Sequence, residues 1–187
     1  MKPPLKFNKG QDLASLKALG MRMLESFLAS PLAQLPGKIV AVEESLRATL
    51  DPQLPDVLAR VDLIYQTPDS LVLLDLKTSR SRWNAAKLAQ GADQLRLYQQ
   101  LCQPMAQETN LPIRLAFGVV TKAKTPVAEY LELAESPEGI DPILERFGQV
   151  FAAMQAGNFY PNPAPQNCST CPFQNQCPTC GSRGPNI

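Results

Sequence analysis

The run Leu71-Val72-Leu73-Leu74-Asp75-Leu76-Lys77-Thr78 constrains this chain more than any other stretch. Its apolar opening reads as a strand, and strand residues two apart point to the same face, so Asp75 and Lys77 project together. Charges in an apolar strand are costly to bury unless they are paired. A second acid, Asp62 in Arg60-Val61-Asp62-Leu63-Ile64, lies thirteen residues earlier in another apolar run. Carboxylates that can hold a hard cation, beside an ammonium that can offset developing negative charge, are what metal-assisted phosphodiester cleavage needs. A structural ion pair on a sheet face accounts for Asp75 and Lys77 equally well.

The flanking segments give an α/β pattern. Apolar residues at helical spacing (Leu13, Leu16, Leu19, Met23 and Phe27) predict a helix over residues 11–30, stopped by Pro31 and by Pro36-Gly37. Ile39 to Val42 opens a first strand with Glu43 and Glu44 at its end. A second strand covers about Val57 to Tyr65, and Leu71 to Lys77 makes a third. Thr67-Pro68-Asp69-Ser70 between them has turn chemistry, which predicts an antiparallel hairpin. A helix follows over about Asn84 to Gln103, then strands at Ile113 to Thr121 and Val127 to Leu133. A last helix spans about Asp141 to Ala156, with Gly157 as its stop. Tyr160 to Pro165 reads as extended. The expected fold is α/β, with a mixed central sheet flanked by helices and a C-terminal Cys-rich tail. Residues 1–160 form the expected body and 161–187 a Pro-rich linker and Cys cluster.

Composition narrows the chemistry. The chain has 187 residues and a net charge of +1, so a nucleic-acid groove would have to be a local basic patch. Histidine is absent, which excludes His-based triads and imidazole acid–base catalysis. No apolar run approaches a membrane span, and a cytoplasmic location without membrane contact is the expectation.

Gln94 and Tyr98 are four apart on the predicted second helix and share a face, where they could offer neutral hydrogen bonds to a lysine or a phosphate. A core tyrosine with a solvated glutamine is the plainer alternative. Arg80, Arg82 and Trp83 follow the Asp75–Lys77 strand, and Lys122 and Lys124 follow the next one. They could form a basic rim for DNA with a stacking tryptophan, or a solvated loop with an anchoring one. Cys168-x2-Cys171-x5-Cys177-x2-Cys180 has the short spacing of metal ligands. Cys102 reads as a buried core residue.

Taken in order, Glu43, Arg60-Val61-Asp62, Asp75-Leu76-Lys77-Thr78, Gln94-Leu95-x-x-Tyr98 and the C-terminal cysteines resemble the PD-(D/E)XK nuclease superfamily, in its RecB-like branch. The resemblance implies a restriction-endonuclease-like core and a metal-dependent DNA exonuclease or endonuclease acting in repair, recombination or defence. It implies that Asp62 and Asp75 hold Mg²⁺ or Mn²⁺, with the Leu76 carbonyl as a further ligand and Glu43 as a ligand or supporting acid. Lys77 would orient water and offset charge, with Gln94 and Tyr98 bracing it or touching DNA. The cysteines would hold a four-iron, four-sulfur cluster, with zinc or no metal as alternatives. Single-stranded or unwound DNA is the expected substrate, and a helicase or other repair protein a possible partner. Members of this branch usually carry a histidine ligand and a cysteine upstream, so the chain is expected to begin inside the family's N-terminal region. The competing expectation is a catalytically inactive nucleic-acid-binding or scaffold module with a structural metal-bound Cys cluster.

Overall fold

The computed structural model describes residues 7, 10–134, 139–159, 161, 163–168, 171–174 and 176–177. The chain divides into two compact units, Met1–Glu145 and Arg146–Ile187. In the first, helix α1 (Leu13–Leu28) precedes strands β1 (Lys38–Ala48), β2 (Val57–Gln66) and β3 (Leu71–Ser79). Helices α2 (Ala85–Leu101) and α3 (Gln103–Thr109), strands β4 (Ile113–Thr121) and β5 (Ala128–Leu133), and the start of α4 (Asp141–Gln155) follow. No helix among the described residues is long and apolar enough to cross a membrane.

The five strands form one mixed sheet in chain order. Neighbouring strands run antiparallel except β3 and β4, which are parallel. The two-stranded hairpin β2–β3 closes through the expected turn, where the Thr67 hydroxyl accepts from Ser70 N–H at 3.0 Å. The parallel pair needs a crossover, and α2 with α3 supplies it. Leu71 and Leu73 of β3, Leu115, Phe117 and Val119 of β4, and Leu95, Tyr98 and Leu101 of α2 share one core cluster. Asp75 and Lys77 have the same parity as Leu71 and Leu73, so they lie on the face that α2 covers. The opposite face carries Leu74, Val72, Tyr65 and Ala116, capped by Leu32 and Phe27 from the end of α1 and the 3-10 turn Pro31–Ala33.

Three elements depart from expectation. First, β1 does not end at Glu44 but continues to Ala48, because Leu46 and Ala48 pack against the core and extend the pairing with β2. Second, the helix expected to reach Gln103 ends at Leu101. Pro104, lacking an N–H, opens the separate α3, which Asn110 closes at φ 52°. Third, Pro165 does not end an extended segment but begins a single helical turn, α5 (Pro165–Cys168).

Gly37 sets the entry to β1. Its φ is +104°, and a Cβ there would stand 2.0 Å from the Gln66 carbonyl oxygen. Neither the backbone angle nor the space accepts a side chain. Gly37→Ala should therefore destabilise the fold by about 3 kcal/mol. A thermal melt should show the midpoint falling by roughly 10 °C. An unchanged midpoint would mean that β1 enters the sheet differently.

Candidate active site

The site is built where the hairpin ladder stops. Leu63 pairs with Leu74, and no pair between β2 and β3 follows in the direction of Asp62 and Asp75. In place of a backbone partner, the Leu76 N–H donates to Asp62 Oδ2 at 2.7 Å. The carboxylate of one strand thus substitutes for a ladder carbonyl and binds the backbone between Asp75 and Lys77. This satisfies the amide and brings the acid against the Asp75-Leu76-Lys77 segment.

A local irregularity in β2 permits that arrangement. Ala59, Val61 and Ile64 all lie in the core beneath α2, so the inward-facing residues step by two and then by three. Asp62 falls where this alternation breaks, although the pairing with β1 keeps its register there and shifts only between Ile39 and Ala41. The neighbouring strand bends at the matching place. Val42 pairs with Leu63 and Glu44 with Val61, leaving Glu43 across from Asp62 with a left-handed φ of 55°. Such a conformation is uncommon for glutamate and marks a strained position.

Asp75 is only 1% exposed. Its Oδ2 forms an ion pair with Lys77 Nζ at 2.7 Å. Burial raises the Asp75 carboxyl above its ordinary value. The Lys77 ammonium opposes that rise, and the nearby Asp62 charge adds to it. A buried carboxylate held only by a partly exposed ammonium, one further carboxylate alongside and an exposed Leu76 between them suit a small hard cation. Magnesium is commonly held by one or two protein carboxylates, with water completing its shell. The donor set therefore fits Mg²⁺ or Mn²⁺. No group of three or more Asp, Glu, Cys or His that could hold a metal occurs among the described residues, so a third acid does not join the pair.

The other sequence-derived candidates fall into place around this pair. Glu43 is turned to Arg60, 2.6 Å away, on the exposed side of the hairpin. The first-strand acid that shares the inward face is instead Glu44. It pairs with Val61 and is close enough to Cys102 that its charge adds to the effect of burial, raising that thiol to about 11. Cys102 is buried in the core and stays protonated at neutral pH. Counting inward positions back from Leu46 would have found Glu44, had the length of β1 been foreseen. Gln94 and Tyr98 do meet, with Gln94 Nε2 donating to the Tyr98 hydroxyl at 2.6 Å, and Tyr98 is buried in the core. Neither is hydrogen-bonded to Lys77 among the described residues.

The basic residues divide. Ser79 pairs with Thr121, and the Ser79 carbonyl accepts from Lys122 N–H at 2.6 Å, so Arg80 and Lys122 leave the sheet from adjacent strand ends. Lys124 is also exposed. Arg82 lies 3.6 Å from Glu129. The Trp83 ring packs against Phe117 at 5.0 Å between centroids, which makes it a wedge under α2. A polar cavity of about 790 Å³ lies at the other end of β4, lined by residues including Arg96, Gln99, Arg114 and Glu132, and none of the candidate site residues lines it.

In the second unit, Cys168, Cys171 and Cys177 lie in consecutive turns. Cys168 N–H donates to Ala164 O at 2.8 Å and Cys177 N–H to Phe173 O at 3.0 Å. These thiols do not form a metal-holding group among the described residues, and Cys180 lies outside those residues. The expected iron–sulfur or zinc site includes Cys180, which lies outside the described residues, and no step is assigned to it.

A mixed sheet with a parallel central pair, carrying Asp75-x-Lys77 beside Asp62, defines a restriction-endonuclease-like fold. The chain belongs to the PD-(D/E)XK nuclease superfamily, whose family model matches residues 3–178. A solved structure from Eubacterium rectale, of a protein provisionally named an exonuclease, has the same fold at TM-score 0.57 and 15% identity. The match covers 95% of this chain and 64% of that one, so this chain spans less than two-thirds of that protein's length. The structure of SSO0001 aligns at TM-score 0.43 and 17% identity, over 88% of this chain and 77% of its own. No curated protein matches.

Proposed function

We propose that this chain is a divalent-metal-dependent DNA nuclease of the RecB-like type, acting on single-stranded or unwound DNA. The observation that carries the reading is the convergence at Leu76. Asp62 holds the backbone between Asp75 and Lys77, and the buried Asp75 carboxylate is paired with the Lys77 ammonium at 2.7 Å. Superfamily membership implies a nucleic-acid substrate and hydrolytic chemistry.

Asp62 and Asp75 would hold the cation, which supplies Lewis acidity and an activated water near neutral pH without a histidine base. The Lys77 side chain is 35% exposed, so its ammonium can reach both the Asp75 carboxylate and a phosphoryl oxygen gaining charge. The Gln94–Tyr98 hydrogen bond stiffens the α2 face over this strand. Arg80, Lys122 and Lys124 provide exposed cations for the DNA backbone, and such contacts carry no base preference. A role in repair, recombination or defence, with a helicase as partner, follows the RecB-like resemblance.

The test is incubation of the purified chain with end-labelled single-stranded DNA and Mg²⁺ or Mn²⁺, with duplex DNA and RNA alongside. Expected is cleavage of single-stranded DNA that stops when the metal is chelated. Intact DNA of every form in both metals would contradict the proposal, and preferential cleavage of RNA would overturn the choice of substrate.

A further inference from the structure

We infer that Lys87 is a second phosphate-binding lysine, seated to hold the DNA phosphate next to the one being cleaved. The inference rests on the nuclease reading above and extends it to a residue outside the Asp75-x-Lys77 motif.

Residues 75, 77 and 79 of β3 share one face. Ser79 is buried, and its Oγ accepts from Lys87 Nζ at 2.7 Å. The same ammonium lies 5.4 Å from the centre of the Trp83 ring. Trp83 is itself held against Phe117, so the lysine is positioned from two sides. A strand advances about 3.3 Å per residue, which sets Ser79 roughly 6.6 Å beyond Lys77 along the row. Neighbouring phosphates of a DNA strand are separated by a similar distance. With Lys77 at the scissile phosphate, Lys87 stands at the next one.

The charge on Lys87 has no acidic counterpart. Its partners are a neutral hydroxyl and an aromatic face, and it enters no ion pair among the described residues. It also sits in the first turn of α2, after the Asn84 cap, where a cation opposes the helix dipole. A half-buried ammonium in that setting gains from an incoming anion, and the cation–π contact orients it without neutralising it.

The experiment is equilibrium binding of a fluorescent single-stranded 12-mer in EDTA, so that no cleavage is required, across a series of salt concentrations. One phosphate contact on single-stranded DNA contributes about 0.7 to the slope of log affinity against log salt, or about fivefold in affinity at 0.1 M salt. Lys87→Gln should lose both, and Lys87→Arg should keep the wild-type slope. In the wild-type chain, saturating oligonucleotide should protect Lys87 from an amine-reactive reagent, read by mass spectrometry. A wild-type slope in Lys87→Gln, the Gln slope in Lys87→Arg, or undiminished labelling of Lys87 would each overturn the assignment. A chain that binds DNA with these signatures and never cleaves it would refute the nuclease reading while leaving Lys87 as a DNA contact.

Discussion

Asp75→Asn should abolish metal-dependent DNA cleavage while making the metal-free protein more stable at neutral pH. The loss of activity follows from removing a cation ligand. A metal ion contributes several kcal/mol of charge stabilisation in the transition state, so a drop of about 10³-fold or more is expected. The gain in stability follows from burial. Because burial raises the Asp75 carboxyl above its ordinary 3.8, the unfolded chain releases this proton at lower pH than the folded chain does. The carboxyl's contribution to stability is thus fully present below about 3.8 and is lost as pH rises through the higher folded value. Asparagine cannot ionise, so its melting midpoint should exceed that of the wild type above this window and converge with it at acidic pH. Melts from pH 3 to 8 without divalent metal, paired with a cleavage assay, check both halves. An active Asp75→Asn chain would remove Asp75 from the chemistry, and a less stable one at pH 7 would mean that the ion pair with Lys77 outweighs burial.

Lys77→Met should have the opposite effect on stability with a similar loss of activity. Removing the ammonium leaves Asp75 buried beside Asp62 without its cation, and breaking one side of a buried pair is more harmful than never having had it. The Asp75 carboxyl should rise further, and stability at neutral pH should fall. Loss of one positioned charge at the developing oxyanion costs about 10²–10³ in rate. Metal binding should survive at higher pH, because both carboxylates remain and only their protonation has moved. Cleavage measured from pH 6 to 9 separates this from global unfolding. A rate within a few-fold of the wild type would show that Lys77 is only a structural counter-ion.

Much of this architecture could be read from residue patterns. The alternation of Leu115, Phe117 and Val119 marked a strand, the turn at Thr67–Ser70 marked an antiparallel hairpin, and simple parity put Asp75 and Lys77 on one face. What stayed hidden depended on the register between strands. Nothing in Arg60-Val61-Asp62-Leu63 announces the break in alternation after Val61 that turns Asp62 towards the Leu76 amide. The matching bend at Glu43 sends that acid to Arg60 and leaves Glu44 facing inward. Lys87 and Ser79 lie eight residues apart across a loop, so their contact appears only once α2 has folded back over β3. Trp83 could be read as a base-stacking platform until Phe117 occupied one side of it.

The most direct test is Mn²⁺ titration of the wild-type chain, Asp62→Asn and Asp75→Asn, with free Mn²⁺ followed by electron paramagnetic resonance at pH 7.5. Expected is specific binding by the wild type that weakens at least about tenfold in each variant, since a hard cation held by two carboxylates cannot spare either. Wild-type Mn²⁺ affinity in both variants would contradict the assignment of these aspartates as a metal centre.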